Sequence, residues 1–152
     1  MARQQDADSA IIKGAETINL QEGSSHGVLL LHGFGDTPQT LSLLARRLAR
    51  NGYGVLAPLL PGHGRSMKAF RNSRSDQWVA ASRDALREMR ERYSKPLLAV
   101  VGFSPFEKEE VDMRRELQEI GIPAFHNFER AARAYRNASM YYRFLASVED
   151  AA

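Results

Sequence analysis

Gly27 opens an unbroken aliphatic run, Val28-Leu29-Leu30-Leu31, which stops abruptly at His32-Gly33-Phe34-Gly35-Asp36. A strand with one wet face alternates apolar and polar residues. Four consecutive large aliphatics instead describe a strand covered on both faces, as in the middle of a parallel sheet. The two glycines after it mark a sharp turn, and helical spacing resumes directly beyond them. A buried strand, a glycine turn and a helix place that turn at the carboxyl edge of a sheet, where α/β folds bind their ligands.

The rest of the chain repeats this alternation. Glu16-Thr17-Ile18-Asn19-Leu20 alternates and reads as an edge strand. Thr37 suits a helix N-cap and Pro38 the first helical position, with Leu41, Leu44, Ala45 and Leu48 on one face. Asn51-Gly52 ends that helix, and residues 53–58 form a second buried strand. Residues 59–66, rich in Pro and Gly, make a loop that stays polar and basic as far as Ser75. A long helix follows over 76–93, capped by Ser75, with Val79, Leu86, Met89 and Tyr93 inward. Lys95-Pro96 stops it, and 97–101 is a third apolar strand. A charged helix over 107–120, a short strand over 122–125 and a last helix from 128 to about 147 complete the pattern. The expected fold is α/β and three-layered, a single domain over 1–152. Its mostly parallel sheet has five strands in the order 1-3-2-4-5, strand 1 antiparallel at one edge, and helices on both faces.

Composition removes several classes of function. The chain has no cysteine, and its four histidines, His26, His32, His63 and His126, lack metal-ligand spacing, so no metal and no cofactor is expected. Residues 1–104 carry a net charge of +5 and residues 105–152 a net −2. The basic residues are dispersed over helices, which describes a solvated surface and no nucleic-acid partner. The apolar runs are far shorter than a membrane span and the amino end has no apolar core. The chain is therefore expected to be cytoplasmic, with no membrane partner.

Three segments carry a resemblance: 27–36, the stretch Gly52-Tyr-Gly-Val-Leu-Ala-Pro-Leu-Leu-Pro-Gly-His-Gly-Arg-Ser66, and Val101-Gly-Phe-Ser104. In this order and spacing, residues 16–104 resemble the α/β-hydrolase superfamily, in particular its carboxylesterase and monoacylglycerol-lipase-like members. The resemblance implies an oxyanion loop after His32-Gly33, with the Phe34 amide as one donor. It implies a nucleophile at Ser104, on the strand-to-helix elbow. His63 matches a Pro-Gly-His-Gly loop that is structural in that family.

The elbow departs from the family pattern at two positions. Phe106 stands where the second glycine belongs, and Pro105 follows the serine. The second oxyanion donor is the backbone N–H of that following residue, and proline has none. Losing one such donor costs on the order of 3 kcal/mol of transition-state stabilisation. The later strands that carry the family's acid and base are also absent from this sequence.

Beyond the elbow, Glu116-Leu-Gln-Glu-Ile-Gly-Ile-Pro-Ala-Phe-His126, Phe128-Glu-Arg-Ala-Ala-Arg-Ala134 and Tyr141-Tyr-Arg-Phe-Leu145 resemble the end of a flavodoxin-like subdomain of NDP-forming acyl-CoA synthetases, over residues 95–149. Together the two resemblances imply a recombined or engineered chimera of a hydrolase-like part, 1–104, and a synthetase-like part, 105–152. Apolar surface left by missing hydrolase strands would favour a homodimer.

Three functional readings follow. The first is a chimeric fold with an incomplete catalytic site and no more than residual carboxylic-ester hydrolysis. The second is a weak serine esterase using Ser104, with His126 as base and Glu129 or Asp36 as orienting acid. The third is a CoA- or phosphate-binding module at the Phe34–Asp36 turn, aided by Arg65, Arg71 and Arg74; the small-molecule ligand itself is not identified. Ser104 has a non-catalytic reading too: Ser104-Pro105 is a helix cap followed by a first helical proline.

Overall fold

The computed structural model describes residues 10–93, 99–100, 107–119 and 121–149. They fall in two compact units, Met1–Lys95 and Pro96–Ala152. The first unit holds strands β1 (Ile18–Leu20), β2 (Gly27–Leu29) and β3 (Gly54–Ala57), and helices α1 (Pro38–Arg50), α2 (Met67–Asn72) and α3 (Ser75–Arg92). Its sheet runs β1-β3-β2. β1 is antiparallel to β3, pairing Ile18 with Ala57 and Leu20 with Val55. β2 is parallel to β3, pairing Gly27 with Gly54 and Leu29 with Leu56.

The middle strand decides the packing. All four residues of β3 are buried. Side chains alternate across a strand, so Val55 and Ala57 enter one cluster with Leu30 and Ala45, flanked by Leu41 and Leu48 of α1. Leu56 points the other way, to Ala85 and Met89 of α3, with Leu29 and Tyr93 beside them. The result is a layer of helix on each face of the sheet. Tyr93 lies so close over the paired Gly27 and Gly54 that a Cβ at either glycine would collide with its ring or hydroxyl.

Local chemistry explains the helix ends. Thr37 has the extended backbone of an N-cap, but its side chain makes no capping bond. Asp36 braces the entry to the helix instead: one carboxylate oxygen accepts the Thr37 N–H at 2.8 Å and the other the Thr40 hydroxyl at 2.8 Å. Asn51 caps the other end, and Gly52 takes the positive φ that reverses the chain. Ser66 Oγ accepts the Ala69 N–H at 3.1 Å and starts α2, a helix inside what reads from sequence as loop. α3 begins at Ser75, not Asp76; its N-cap is Arg74, whose N–H is taken by Gln77 Oε1 at 2.9 Å. Val79, expected inward, is exposed, and Ala85 takes the inward position.

The second unit holds β4 (Ala99–Val100), α4 (Glu107–Glu119), β5 (Ala124–Phe125) and α5 (Phe128–Glu149). β4 and β5 are parallel, with Ala99 opposite Ala124 and Val100 opposite Phe125. Gly121, at positive φ, turns the chain out of α4. Asn127 Oδ1 accepts the Arg130 N–H at 2.9 Å and caps α5. Ala131 of α5 and Ala124 of β5 are buried.

The architecture is mixed α/β, as expected, and the order β1-β3-β2 with an antiparallel edge is as expected too. The single five-stranded sheet is corrected. Among the described residues the strands form two sheets, β1-β3-β2 and β4-β5. Within its own sheet β2 lies beside the middle strand β3, and Leu31 is 47% exposed. Of the expected strand 97–101 only Ala99–Val100 is described; its flanks and the elbow at 102–105 lie outside the described residues.

Candidate functional site

β2 and β3 are parallel neighbours, so the turns after them must meet at one sheet edge. The turn after β2 is closed by Asp36 N–H donating to the Gly33 carbonyl at 3.2 Å, with Gly35 at positive φ. The loop after β3 folds through Gly62 and Gly64, both at positive φ. A Cβ on Gly62 would strike Ser73 and the Ala69 carbonyl, so only glycine fits there.

His32 joins the two turns. It is buried, with its Nδ1–H donating to the Gly33 carbonyl at 3.1 Å. Its Nε2 accepts the Leu60 N–H at 3.1 Å. Both partners fix one neutral tautomer. Burial pulls its pKa below the ordinary value; the Gly33 carbonyl opposes this, the nearby His63 adds to it, and Asp36 opposes it. A second ring proton would face the Leu60 N–H, donor against donor.

His63 packs edge-on against His32, with ring centroids 4.9 Å apart. Its Nδ1–H donates to the Pro61 carbonyl at 3.1 Å, and the same carbonyl accepts Trp78 Nε1–H at 3.0 Å. Phe70 and Trp78 close over the imidazole at 4.8 and 5.1 Å. Only 2% of His63 is exposed, and its Nε2 has no hydrogen-bond partner among the described residues. Enclosed in this way, the imidazole is packed among aromatic rings.

Phe34 stands at the rim of this cluster. Its ring meets Phe70 at 5.1 Å and Trp78 at 5.7 Å, yet 79% of the residue is exposed. Among the described residues no acceptor takes its backbone N–H. Sequence reasoning singled out Phe34 but not its aromatic support. The signal was present: His-Gly-Phe-Gly and Pro-Gly-His-Gly follow consecutive parallel strands, so their loops share an edge.

Ser104 lies outside the described residues. His126 belongs to the second unit, exposed just after β5, with Nε2 accepting from Asn127 Nδ2 at 3.0 Å. Both carboxylate oxygens of Asp36 are engaged at the start of α1, by the Thr37 N–H and the Thr40 hydroxyl. Arg74 pairs with Asp76. Among the described residues no group of three or more His, Asp or Glu could hold a metal ion.

The sequence model of the serine aminopeptidase S33 family matches residues 24–105, more than half of the chain. The chain belongs to the serine aminopeptidase S33 family. Its S33 segment is 34% identical over 82 residues to a thermostable monoacylglycerol lipase of Bacillus sp. (strain H-257), covering 54% of this chain and 32% of the lipase. It is 35% identical over 82 residues to an uncharacterised protein of Mycobacterium tuberculosis (strain ATCC 25618 / H37Rv), covering 54% of this chain and 23% of that protein. Among solved structures, one of the metagenome-derived lipolytic enzymes LipS and LipT superposes with a TM-score of 0.56 at 36% identity, over 60% of this chain and 36% of its own. The S33 chain thus spans about a third or less of the length of the curated relatives it matches. These neighbours agree with the α/β-hydrolase-like character of the layered first unit.

Proposed function

We propose that this chain is a hydrolase-derived fold with an incomplete catalytic centre, retaining at most residual carboxylic-ester hydrolysis through Ser104. The observation that carries this reading is Pro105. The free Phe34 amide supplies one oxyanion donor, and the second, from the residue after the nucleophile, does not exist on a proline. One missing donor corresponds to about a hundredfold or more in rate. The buried histidines do not compensate, since His32 is held neutral by two hydrogen bonds and His63 is enclosed by rings.

The second unit is read as a different ancestry, resembling the flavodoxin-like subdomain of NDP-forming acyl-CoA synthetases. The division of the chain at Lys95/Pro96 and the change of net charge from positive to negative near the elbow support a junction in this region. His126 is exposed and has no acid hydrogen-bonded to it among the described residues, which weighs against a preorganised Ser–His pair. Binding of CoA or phosphate at the Phe34–Asp36 turn is the less favoured reading, because Asp36 places a carboxylate at the amino end of α1.

Hydrolysis of short-chain p-nitrophenyl esters by the parent chain and by Ser104→Ala tests the reading. A slow parent rate, lowered to the uncatalysed background by the substitution, is expected. Turnover at the rate of an efficient esterase would contradict it, as would a rate above the uncatalysed background that survives the substitution. Addition of millimolar CoA should leave the melting temperature unchanged.

A further inference from the structure

The carboxyl-terminal half of α5 carries a surface that the hydrolase reading leaves unused. Helical spacing puts Ala131, Ala134 and Leu145 on one face, and Ala131 is buried and the other two half-buried. About a third of a turn away, Met140, Tyr141, Phe144 and Val148 form a second apolar stripe. This stripe is open: the four residues are 62%, 58%, 62% and 51% exposed, and Tyr142 beside them is 65% exposed. Aromatic side chains carry about 150–250 Å² each, so the patch amounts to a few hundred Å², a size that on a folded surface marks an interaction site.

Charge selects the occupant. The edge of the stripe away from the buried face is lined by Arg133, Arg136 and Arg143. None of the ion pairs among the described residues uses these three arginines. Two copies of the helix packed antiparallel about a two-fold would set Arg136 and Arg143 against the same residues of the other copy. A uniformly anionic plane meets the arginine edge along its whole length. The tyrosines, apolar in the ring and polar at the hydroxyl, suit the boundary between lipid and water.

We propose that α5 lies on anionic phospholipid surfaces, seating Met140, Tyr141, Phe144 and Val148 at the headgroup boundary while its arginines meet lipid phosphates. No helix among the described residues is long and apolar enough to cross a membrane. An interfacial helix needs no such length, so the expectation of no membrane partner, drawn from run length alone, does not bear on it. The proposal is independent of Ser104 chemistry.

Co-sedimentation of the full chain with phosphatidylglycerol vesicles and with phosphatidylcholine vesicles tests it. The bound fraction should be at least tenfold higher on phosphatidylglycerol at low salt and should fall as salt is added. Tyr141→Ser with Phe144→Ser should abolish binding, with circular dichroism and the unfolding transition unchanged because both side chains are exposed. Arg136→Gln with Arg143→Gln should remove the preference for phosphatidylglycerol. The proposal is overturned by no sedimentation at millimolar lipid, or by binding insensitive to both pairs of substitutions. It is equally overturned if the Ser variants instead abolish self-association or capture of an acidic peptide by a chain that ignores vesicles.

Discussion

Replacing His32 tests whether one imidazole joins the two turns of the site. His32→Leu keeps the volume but removes the acceptor for the Leu60 N–H, which is buried beneath the loop. A buried donor left without a partner costs about 1–3 kcal/mol, and loss of the Nδ1–H bond to Gly33 adds about 1 kcal/mol. The sum is about 2–4 kcal/mol. His32→Gln should recover part of it, since Gln Oε1 reaches close to the Nε2 position. The two variants also separate in pH dependence. Burial lowers the folded-state pKa of His32 below its unfolded value near 6.5. The unfolded chain therefore binds more protons between the two values, and parent stability declines as pH falls from about 6.5 toward the folded pKa. Above 6.5 this contribution is fully present. His32→Gln should lack that part of the acid decline. Trp78 is the chain's single tryptophan and sits against the same loop, so urea unfolding followed by its fluorescence, between pH 5 and pH 8, reports on this unit. A His32→Leu variant within about 0.5 kcal/mol of the parent would refute the reasoning, as would an unchanged acid slope in His32→Gln.

Three further substitutions test other parts of the account. Gly54→Ala should destabilise by about 1–3 kcal/mol because its Cβ meets the Tyr93 hydroxyl, and Tyr93→Phe in the same chain should return part of the loss in a double-mutant cycle. Asp36→Ala should cost about 1 kcal/mol by leaving the Thr37 N–H and the Thr40 hydroxyl without their acceptor, whereas Thr37→Ala, whose hydroxyl makes no capping bond, should cost much less in the same urea titration. Ser66→Ala should fray α2 and lower stability by about 1 kcal/mol, visible as faster hydrogen exchange at Ala69.

Much of the fold is legible because its signals are local. Val28–Leu31 and the 53–58 stretch announce strands, Pro38 and Gly52 bracket α1, and the breakers around Pro61 announce a loop. What is not legible depends on neighbours. Four aliphatics in a row give no indication of which strand takes the middle of a sheet, and β3 takes it because β1 and β2 both pair with it. α2 is hidden by its Lys, Arg and Asn content, and only the Ser66 cap marks it. For the site, the Phe34 turn was visible as a motif. Its aromatic support was not, because Phe70 and Trp78 reach His63 only through the tertiary fold.

The most direct test of the central claim restores the missing donor. Pro105→Ala returns a backbone N–H to the position after Ser104, and ester hydrolysis is then compared with the parent and with Pro105→Ala carrying Ser104→Ala. The account predicts a rate increase of about a hundredfold that vanishes with the serine. An unchanged rate on restoring the N–H, or an increase that survives loss of Ser104, would contradict it.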